Sequence, residues 1–556
     1  MTTLLTLHDP AAARAFYEAG HWCDDTLYSL LVKHAHERPD AFALRDSCAR
    51  LTWRTLLAQV DLLAADLHGA GMRRGDRVAI WLPNRVECAV IMLACSRNGY
   101  VCNPSLHQNY TGADVMSLLE RTGCAALFAQ AEYGADGERF DIFAAVEGLP
   151  KMKRFYRFSK DRDAKAPLPS AGGDHAVDAP PVDTNPDKVC YLAFTSGTTG
   201  APKGVMHSDN TLLANARAMV RDWGHDPSTI LCSLSPLSHH IATVAVLQSL
   251  VAGFELVIND PPPGVKPLDW ILQTGSTYVM GVPTHGIDIL AEARRRGLRD
   301  MGAVRIFYMA GAPIAPELCH GFLDMGIATL NVYGMTENGS HQYTLPDDPV
   351  EVVTGTCGRA CAGYETRLWN AENPDIEAAP GEIGEIGTRG ALLTLGYFDN
   401  QFATESSFNA SGWFMSGDLG RLDAHGNLQI VGRKKDLIIR GGHNIHPAHI
   451  ENLAMKHPGV LKAAAFPIAD ARLGERVCLA VIPRQGAQVD AQAMLEHLDA
   501  AGLSRYDMPE YWVTLEAFPL TASGKVLKRE LIEMTRTGAI VAQAIRRAAV
   551  RAATEA

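Results

Sequence analysis

From Leu51 the chain reads LTWRTLLAQVDLLAADLHGAG, and Leu56, Leu57, Val60, Leu63, Ala64 and Leu67 recur at the three-and-four spacing of one helical face. Thr52 stands where a hydroxyl caps the first turn, and Gly69 where the helix stops. RVAIWL (77–82) then predicts a buried strand, and RVECAVIMLACSRNG (85–99) a second helix. Helix, strand, helix in that order predicts α/β layers around a largely parallel sheet. VCYLAF (189–194) is a further apolar strand, and HSDNTLLANARAMV (207–220) resumes helical periodicity. The chain carries no short internal repeat.

Two stretches break the pattern. Residues 166–187, APLPSAGGDHAVDAPPVDTNPD, are rich in Pro, Asp, Gly and Ala and predict a surface connection. The second break lies near residue 433. Before it, GNLQIVG reads as a strand ending in a turn. After it, VLKAAAFPI, ERVCLAVIPR, AMLEHLDAAG and EYWVTLEAF alternate as in a small α+β domain of about 120 residues. Arg433, Lys434 and Lys435 sit on the junction: a solvated turn by composition, a hinge candidate by position.

Length and composition narrow the class. The 556 residues exceed one domain, and 47% hydrophobic with 20% charged residues is a globular mix. A net charge of -11 argues against a nucleic-acid partner. The twelve cysteines are scattered. Cys88, Cys95 and Cys102 fall seven apart, as packing residues do, and Cys357 and Cys361 lack metal-site partners. Reduced thiols in a cytoplasmic protein are expected. The start, MTTLLTLHDPAAARAFYEAG, has no basic region followed by an apolar run, and no stretch has the length of a membrane span.

Five stretches carry candidate chemistry. TSGTTGAPKG (195–204) has the Gly, Ser, Thr and Lys of a phosphate cradle but lacks the Gly-Lys-Ser/Thr ending of the common P-loop. Its glycines let the backbone approach a phosphate, successive amides make an anion nest, and Lys203 adds a point charge. In NVYGMTENG (331–339) a Tyr-Gly turn precedes Thr336, a donor to phosphate oxygen, and Glu337, a hard-oxygen ligand for Mg²⁺. In WFMSGDLG (413–420) Asp418 lies in a Gly-flanked turn, suited to accept from two ribose hydroxyls. GRKKDLIIRGG (432–442) crosses the junction, and PLTASGK (519–525) puts Lys525 on a small polar loop. Singly, these also read as a flexible turn, a surface turn, a local cap, a solvated run and a solubility lysine.

Together, in this order, they resemble the AMP-forming adenylating superfamily: acyl-CoA synthetases, non-ribosomal peptide adenylation domains and beetle luciferases. The resemblance runs from GHWCDDTLYSLL (20–31) to KREL (528–531). It implies a large multi-sheet α/β domain over 1–432 and a small mobile α+β domain over 433–556, with ATP, Mg²⁺ and coenzyme A as the small molecules used. It implies that Thr195, Ser196, Gly197, Thr198, Thr199, Gly200 and Lys203 bind the triphosphate. Gly311, Ala312 and Pro313 would pack on adenine and Tyr333 would stack on it. Thr336 would meet the α-phosphate, Glu337 the magnesium, and Asp418 and Arg433 the ribose. Lys435 matches the hinge. Lys525 matches a lysine that bridges the acid's carboxylate and the α-phosphate. After adenylation the small domain would turn, Lys525 would leave, and Gly441 and Gly442 would make room for the pantetheine arm.

SPLSHHIAT (235–243) is similar to the stretch that lines the carboxylate pocket in this family, with His239 near the reacting acyl carbon. Amino-acid-activating members place an Asp there, and this chain has none; dihydroxybenzoate-activating relatives have Asn where His240 stands. GGHNIHPAHIE (441–451) and SRYDMPEY (504–511) are most similar to the cyclohexanecarboxylate-CoA ligase branch, whereas many relatives have Glu-Asn in place of His443-Asn444. The expected substrate is a small-molecule carboxylic acid, cyclic or medium-sized and apolar. Free coenzyme A is the expected acceptor, since no carrier-domain signature follows. The tail AIVAQAIRRAAVRAATEA reads as a surface helix. Open alternatives are loading of a separate carrier protein, a single half-reaction shared with a partner enzyme, an oxygen-dependent luciferase-like oxidase and a non-catalytic nucleotide-binding module. The sequence also leaves a homodimer open.

Overall fold

The structure is a computed structural model that describes residues 4–7, 9–162, 164–169, 179–195, 202–520 and 526–545. The periodicity read at Leu51 becomes the helix Trp53–Gly69, capped by the Thr52 hydroxyl accepting from the Thr55 amide. Leu56, Val60, Leu63, Ala64 and Leu67 are buried as expected, with Trp53, while Leu57 stays partly exposed at the edge of the stripe. Val86–Asn98 is buried nearly all round, so it packs as an internal helix; it ends at Gly99, whose φ of 69° is the left-handed conformation glycine adopts without strain.

Among the described residues four sheets organise the chain. The first runs Arg154–Phe158, Cys124–Gln130, Arg77–Trp81, Val101–Asn103, Val189–Thr195, Lys203–Ser208, parallel except for the last pair. Every residue of Arg77–Trp81 and Cys124–Gln130 is buried, as in parallel sheets covered on both faces. The second sheet has nine strands; those from Ala328–Met335 through Ile306–Ala310, Tyr278–Gly281, Ile230–Ser233 and Glu255–Ile258 to Phe42–Arg45 are parallel. The third is an antiparallel ladder of Tyr364–Trp369, Gly384–Gly390, Phe414–Leu422 and Leu428–Arg433.

The fourth sheet builds the small C-terminal unit from the predicted α+β segments. Val460–Asp470 pairs with Gly474–Pro483, which also pairs with Tyr511–Thr514. Strand alternation sends Val477, Leu479 and Val481 to one core, with Met494 and Leu498 of the helix Ala491–Ala500. Cys478, Ala480 and Ile482 go to the other, with Leu531 of the helix Lys528–Arg536. A sheet covered on both faces this way buries apolar residues at every position. The α/β architecture with several sheets therefore stands as read.

One expectation holds with an added detail and one needs correction. The 166–187 stretch has no helix or strand among its described residues, yet it is tied to the body: the Asp183 amide donates to Arg97 O at 2.8 Å, and Arg74 pairs with the Asp183 carboxylate at 2.7 Å. The tail is not helical where described. Gln543–Ala544 adds to the edge of Tyr511–Thr514, where open strand hydrogen bonds outweigh the helix propensity of alanine. Residues 546–556, with Arg546, Arg547 and Arg551, lie outside the described residues. Among the described residues no helix is long and apolar enough to cross a membrane.

Asp209 ties three helices to the first sheet. Fully buried, it accepts from the Leu27 amide at 2.8 Å and the Ser96 hydroxyl at 2.9 Å, and pairs with Lys188 at 2.7 Å. Removing one partner of a buried ion pair leaves the other charge uncompensated. Asp209→Ala should therefore cost about 3–5 kcal/mol of stability, read as a fall in the urea midpoint. A loss under about 1 kcal/mol would mean that Lys188 finds solvent instead.

Candidate active site

The parallel strands of the nine-stranded sheet end on one side, and loops at such carboxyl ends are where α/β sheets bind ligands. Ile230–Ser233 is followed by the 235–239 stretch, Ile306–Ala310 by Gly311, Ala312 and Pro313, and Ala328–Met335 by Thr336 and Glu337. Gly311, Ala312 and Pro313 are all exposed, and Gly311 has a φ of 88°. The Tyr-Gly pair expected in a turn lies within the strand instead: Tyr333 pairs with Gln342 and Met335 with Gly339. The reversal comes at 336–338, where the Asn338 side chain accepts from the Met335 amide at 3.0 Å. Gly334 is required by this close approach, since a Cβ there would run into the backbone of Gly339.

Asp418 also departs from the predicted turn. It sits inside Phe414–Leu422, where Leu419 faces Glu385 while Met415 faces Gly387, so extra residues on this strand form a bulge around Gly417 (φ 76°). Bulges re-aim side chains. This one directs Asp418 to Tyr333, whose hydroxyl donates to Oδ2 at 2.8 Å, and to Arg433, whose Nε lies 3.3 Å from Oδ1. Burial, then the Asp418 charge, pushes the Tyr333 phenol well above its ordinary value. Two residues on, Lys435 occupies the single turn Lys434–Asp436. Its ammonium is held below its ordinary value by desolvation first and then by the positive charge of Arg433, with Lys203 adding to that repulsion. Like charges gathered this way favour a polyanion between them.

Lys203 reaches this group from the first sheet. Thr195 and Lys203 are cross-strand partners, so the two ends of the phosphate-loop motif are held side by side, and Arg121 donates to Pro202 O at 2.6 Å. Ser196, Gly197, Thr198, Thr199 and Gly200 lie outside the described residues, as does Lys525, between Leu520 and Val526. The Lys203 ammonium stands 4.6 Å from the Tyr397 ring centroid, a cation–π distance. The Tyr397 hydroxyl in turn donates to Glu337 Oε1 at 2.9 Å. Glu337 is buried, and its carbonyl accepts from the Thr394 amide at 2.7 Å. A buried, oriented carboxylate beside a cationic group fits Mg²⁺, which is commonly held by one or two carboxylates together with substrate phosphates.

Sequence reasoning singled out His239 and noted His240 but missed His107, His207 and His341. His239 stands just before the helix His240–Ala252, and its ring lies 4.4 Å from that of His107. His240 Nδ1 is 3.2 Å from the Tyr191 hydroxyl, and its ring lies 5.8 Å from that of His207. His207 donates Nε2–H to Thr336 O at 2.7 Å and so braces the turn from behind. His341 lies between Tyr333 and Tyr364, 5.3 and 4.9 Å from their rings. Burial lowers His107, His240 and His341 to about 3 and His207 to about 4, so all four are neutral. The one available signal was that His207 follows Lys203 on the same strand.

Gly441 and Gly442 form a two-residue hairpin between Ile438–Arg440 and His443–Ile445, with φ of 59° and 85°. Positive φ at both central residues is the type I′ signature, which glycine serves best.

The family described as AMP-binding enzyme matches residues 31–398, and its C-terminal domain matches residues 449–525. The medium-chain fatty-acid–CoA ligase of Escherichia coli (strain K12) is 30% identical over 95% of this chain and 93% of its own length. The 2-hydroxy-7-methoxy-5-methyl-1-naphthoate–CoA ligase of Streptomyces carzinostaticus is 30% identical over 94% and 95%. The ATP-bound crystal structure of MatB from Rhodopseudomonas palustris superposes with a TM-score of 0.80 at 27% identity, covering 92% of this chain and 99% of that one.

The neutral imidazoles make the fold acid-sensitive. Below the ordinary histidine value of 6.5 the unfolded chain takes up protons that native His107, His207, His240 and His341 refuse. Stability present above that pH is therefore lost as pH falls towards 4, by up to about 1.4 kcal/mol per pH unit for each ring. The urea midpoint should drop steeply between pH 6 and 4.5, and less steeply in His341→Gln. A midpoint level across that range would contradict the neutral assignment.

Proposed function

Since the chain belongs to the AMP-binding enzyme family, as an AMP-forming acyl-CoA synthetase that uses ATP to join a carboxylic acid to coenzyme A, we propose how its residues divide that work and which acid it takes. In this reading residues 1–432 bind ATP and the acid, and residues 433–556 turn about Lys435 between the two half-reactions. Thr195, Ser196, Gly197, Thr198, Thr199, Gly200 and Lys203 hold the β- and γ-phosphates. Gly311, Ala312, Pro313 and Tyr333 receive adenine, Asp418 and Arg433 the ribose, and Thr336 the α-phosphate. Glu337 would hold Mg²⁺, which would neutralise charge on the triphosphate. The observation that supports this division is the gathering of Lys203, Arg433 and Lys435, with Arg433 on Asp418 and Asp418 on the Tyr333 hydroxyl, a cationic group suited to a polyanion.

Lys525 is assigned to adenylation, between the acid's carboxylate and the α-phosphate. Unit charges about 4 Å apart attract by about 4 kcal/mol at an effective dielectric near 20, which is about a thousandfold in rate if it is felt only in the transition state. The Gly441–Gly442 hairpin then replaces it, its bare backbone leaving a channel for pantetheine.

The acid is read as cyclic or medium-sized and apolar. His239 lies against the neutral ring of His107, His240 is itself neutral, and the 235–243 stretch carries no carboxylate to pair with an ammonium. The naphthoate and medium-chain relatives are consistent with this. A cytoplasmic setting is supported by free thiols at all twelve cysteines.

Incubated with ATP, Mg²⁺ and coenzyme A, the protein should convert cyclic and medium-chain acids, but not amino acids, to acyl-CoA with release of AMP. Mass spectrometry of a mixed acid panel reads this, and a preference for amino acids would overturn the pocket assignment. Lys525→Ala should lose pyrophosphate exchange by about a thousandfold while still forming thioester from supplied acyl-adenylate. Equal loss of both halves in a folded variant would refute the division of labour.

A further inference from the structure

The hairpin assigned to pantetheine carries an acid–base pair that the adenylation chemistry does not use. His443 is the first residue after Gly442, and its Nε2 lies 2.8 Å from Asp507 Oδ1. Asp507 comes from the segment before Tyr511–Thr514, where its amide donates to Ser504 O at 3.0 Å. Half of the His443 side chain is exposed, whereas Asp507 is only 21% exposed. The Tyr506 ring, itself exposed, stands 6.0 Å from the imidazole.

This pair is not needed to join the two segments. Arg440, the cross-strand partner of His443, already grips Glu510 through two hydrogen bonds of 2.8 and 3.0 Å, and Arg476 adds a third at 2.7 Å. A half-exposed His–Asp contact adds at most about 1 kcal/mol to that. What it does is orient the ring. A carboxylate accepting from Nε2–H fixes the tautomer with the lone pair on Nδ1, the arrangement of a general base held by a third group.

We propose that His443, oriented by Asp507, is the general base of the thioester-forming half-reaction. The inference rests on the assignment of the Gly441–Gly442 hairpin to pantetheine. Nδ1 takes the proton from the coenzyme A thiol while sulfur attacks the acyl carbon of the acyl-adenylate. The carbon–oxygen bond to phosphate breaks, AMP leaves as its phosphate anion, and Asp507 stabilises the imidazolium. The ionisable groups facing the ring are Asp507 and Tyr506 from one segment and Arg440 from the paired strand. Arg472 lies in the turn that receives the Gly441 amide at Leu473 O, and His446 stands further along the chain of His443.

The test separates the half-reactions in the full-length protein. In His443→Gln, pyrophosphate exchange should stay within about twofold of wild type, while thioester formation from supplied acyl-adenylate falls about 100-fold at pH 7. The wild-type rate should rise with pH less steeply than that of the variant. The variant should keep rising about tenfold per pH unit, because only solution thiolate then reacts. Asp507→Asn should slow the same half-reaction about tenfold, and added imidazole should partly rescue His443→Ala. A His443→Gln enzyme with wild-type thioester rate and pH profile overturns the proposal. So does equal loss in both halves without rescue, which would make the pair a loop brace. If the wild-type protein forms no thioester from acyl-adenylate, the coenzyme A assignment falls with it.

Discussion

His207 donates to the carbonyl of Thr336 across 2.7 Å, and three sheets meet around that contact. His207 belongs to the first sheet, and Thr336 follows a strand of the second. Two residues from His207, Val205 bridges to Tyr397, whose hydroxyl holds Glu337. On the other side Tyr333 reaches Asp418 in the third sheet. The short turn bearing Thr336 and Glu337 is thus gripped from both sides. Backbone hydrogen bonding and side-chain placement at such a point are costly to disturb, because buried donors and acceptors have no water to fall back on.

The electrostatics follow from the same geometry. Burial keeps the imidazoles around the turn neutral, and the cations Arg433 and Lys203 come near Lys435. Glu337 and Asp418 are the acidic groups set into this arrangement, each with a tyrosine hydroxyl on it. A hydroxyl can orient a carboxylate without cancelling its charge, and Asp418 also meets the Arg433 guanidinium.

The small C-terminal unit has a different physical character. Its two cores are filled by the alternation of Val477 to Ile482, so it is held together by its own apolar residues. A unit with its own core can change its orientation without unfolding. Its glycine hairpin is closed by the Arg440–His443 pair, Arg440 held by Glu510 and His443 by Asp507.

The order of motifs, the helices at Trp53–Gly69 and Val86–Asn98 and the alternating strands of the small unit were legible in the residues alone. Each depends on neighbours along the chain, through a cap, a 3.6-residue stripe or a period of two. The resemblance likewise named Tyr333, Glu337, Asp418 and Arg433 one by one. That Asp418 rides a bulge and not a turn, that Tyr333 donates to it from 85 residues away, and that His207 braces Thr336 from 129 residues away were decided only by the tertiary structure. So was the pairing of His443 with Asp507, 64 residues apart. Histidine has no periodicity that marks its role. Whether it ends neutral, paired with a carboxylate or set against another ring is settled by burial and partners that the folded sheets supply.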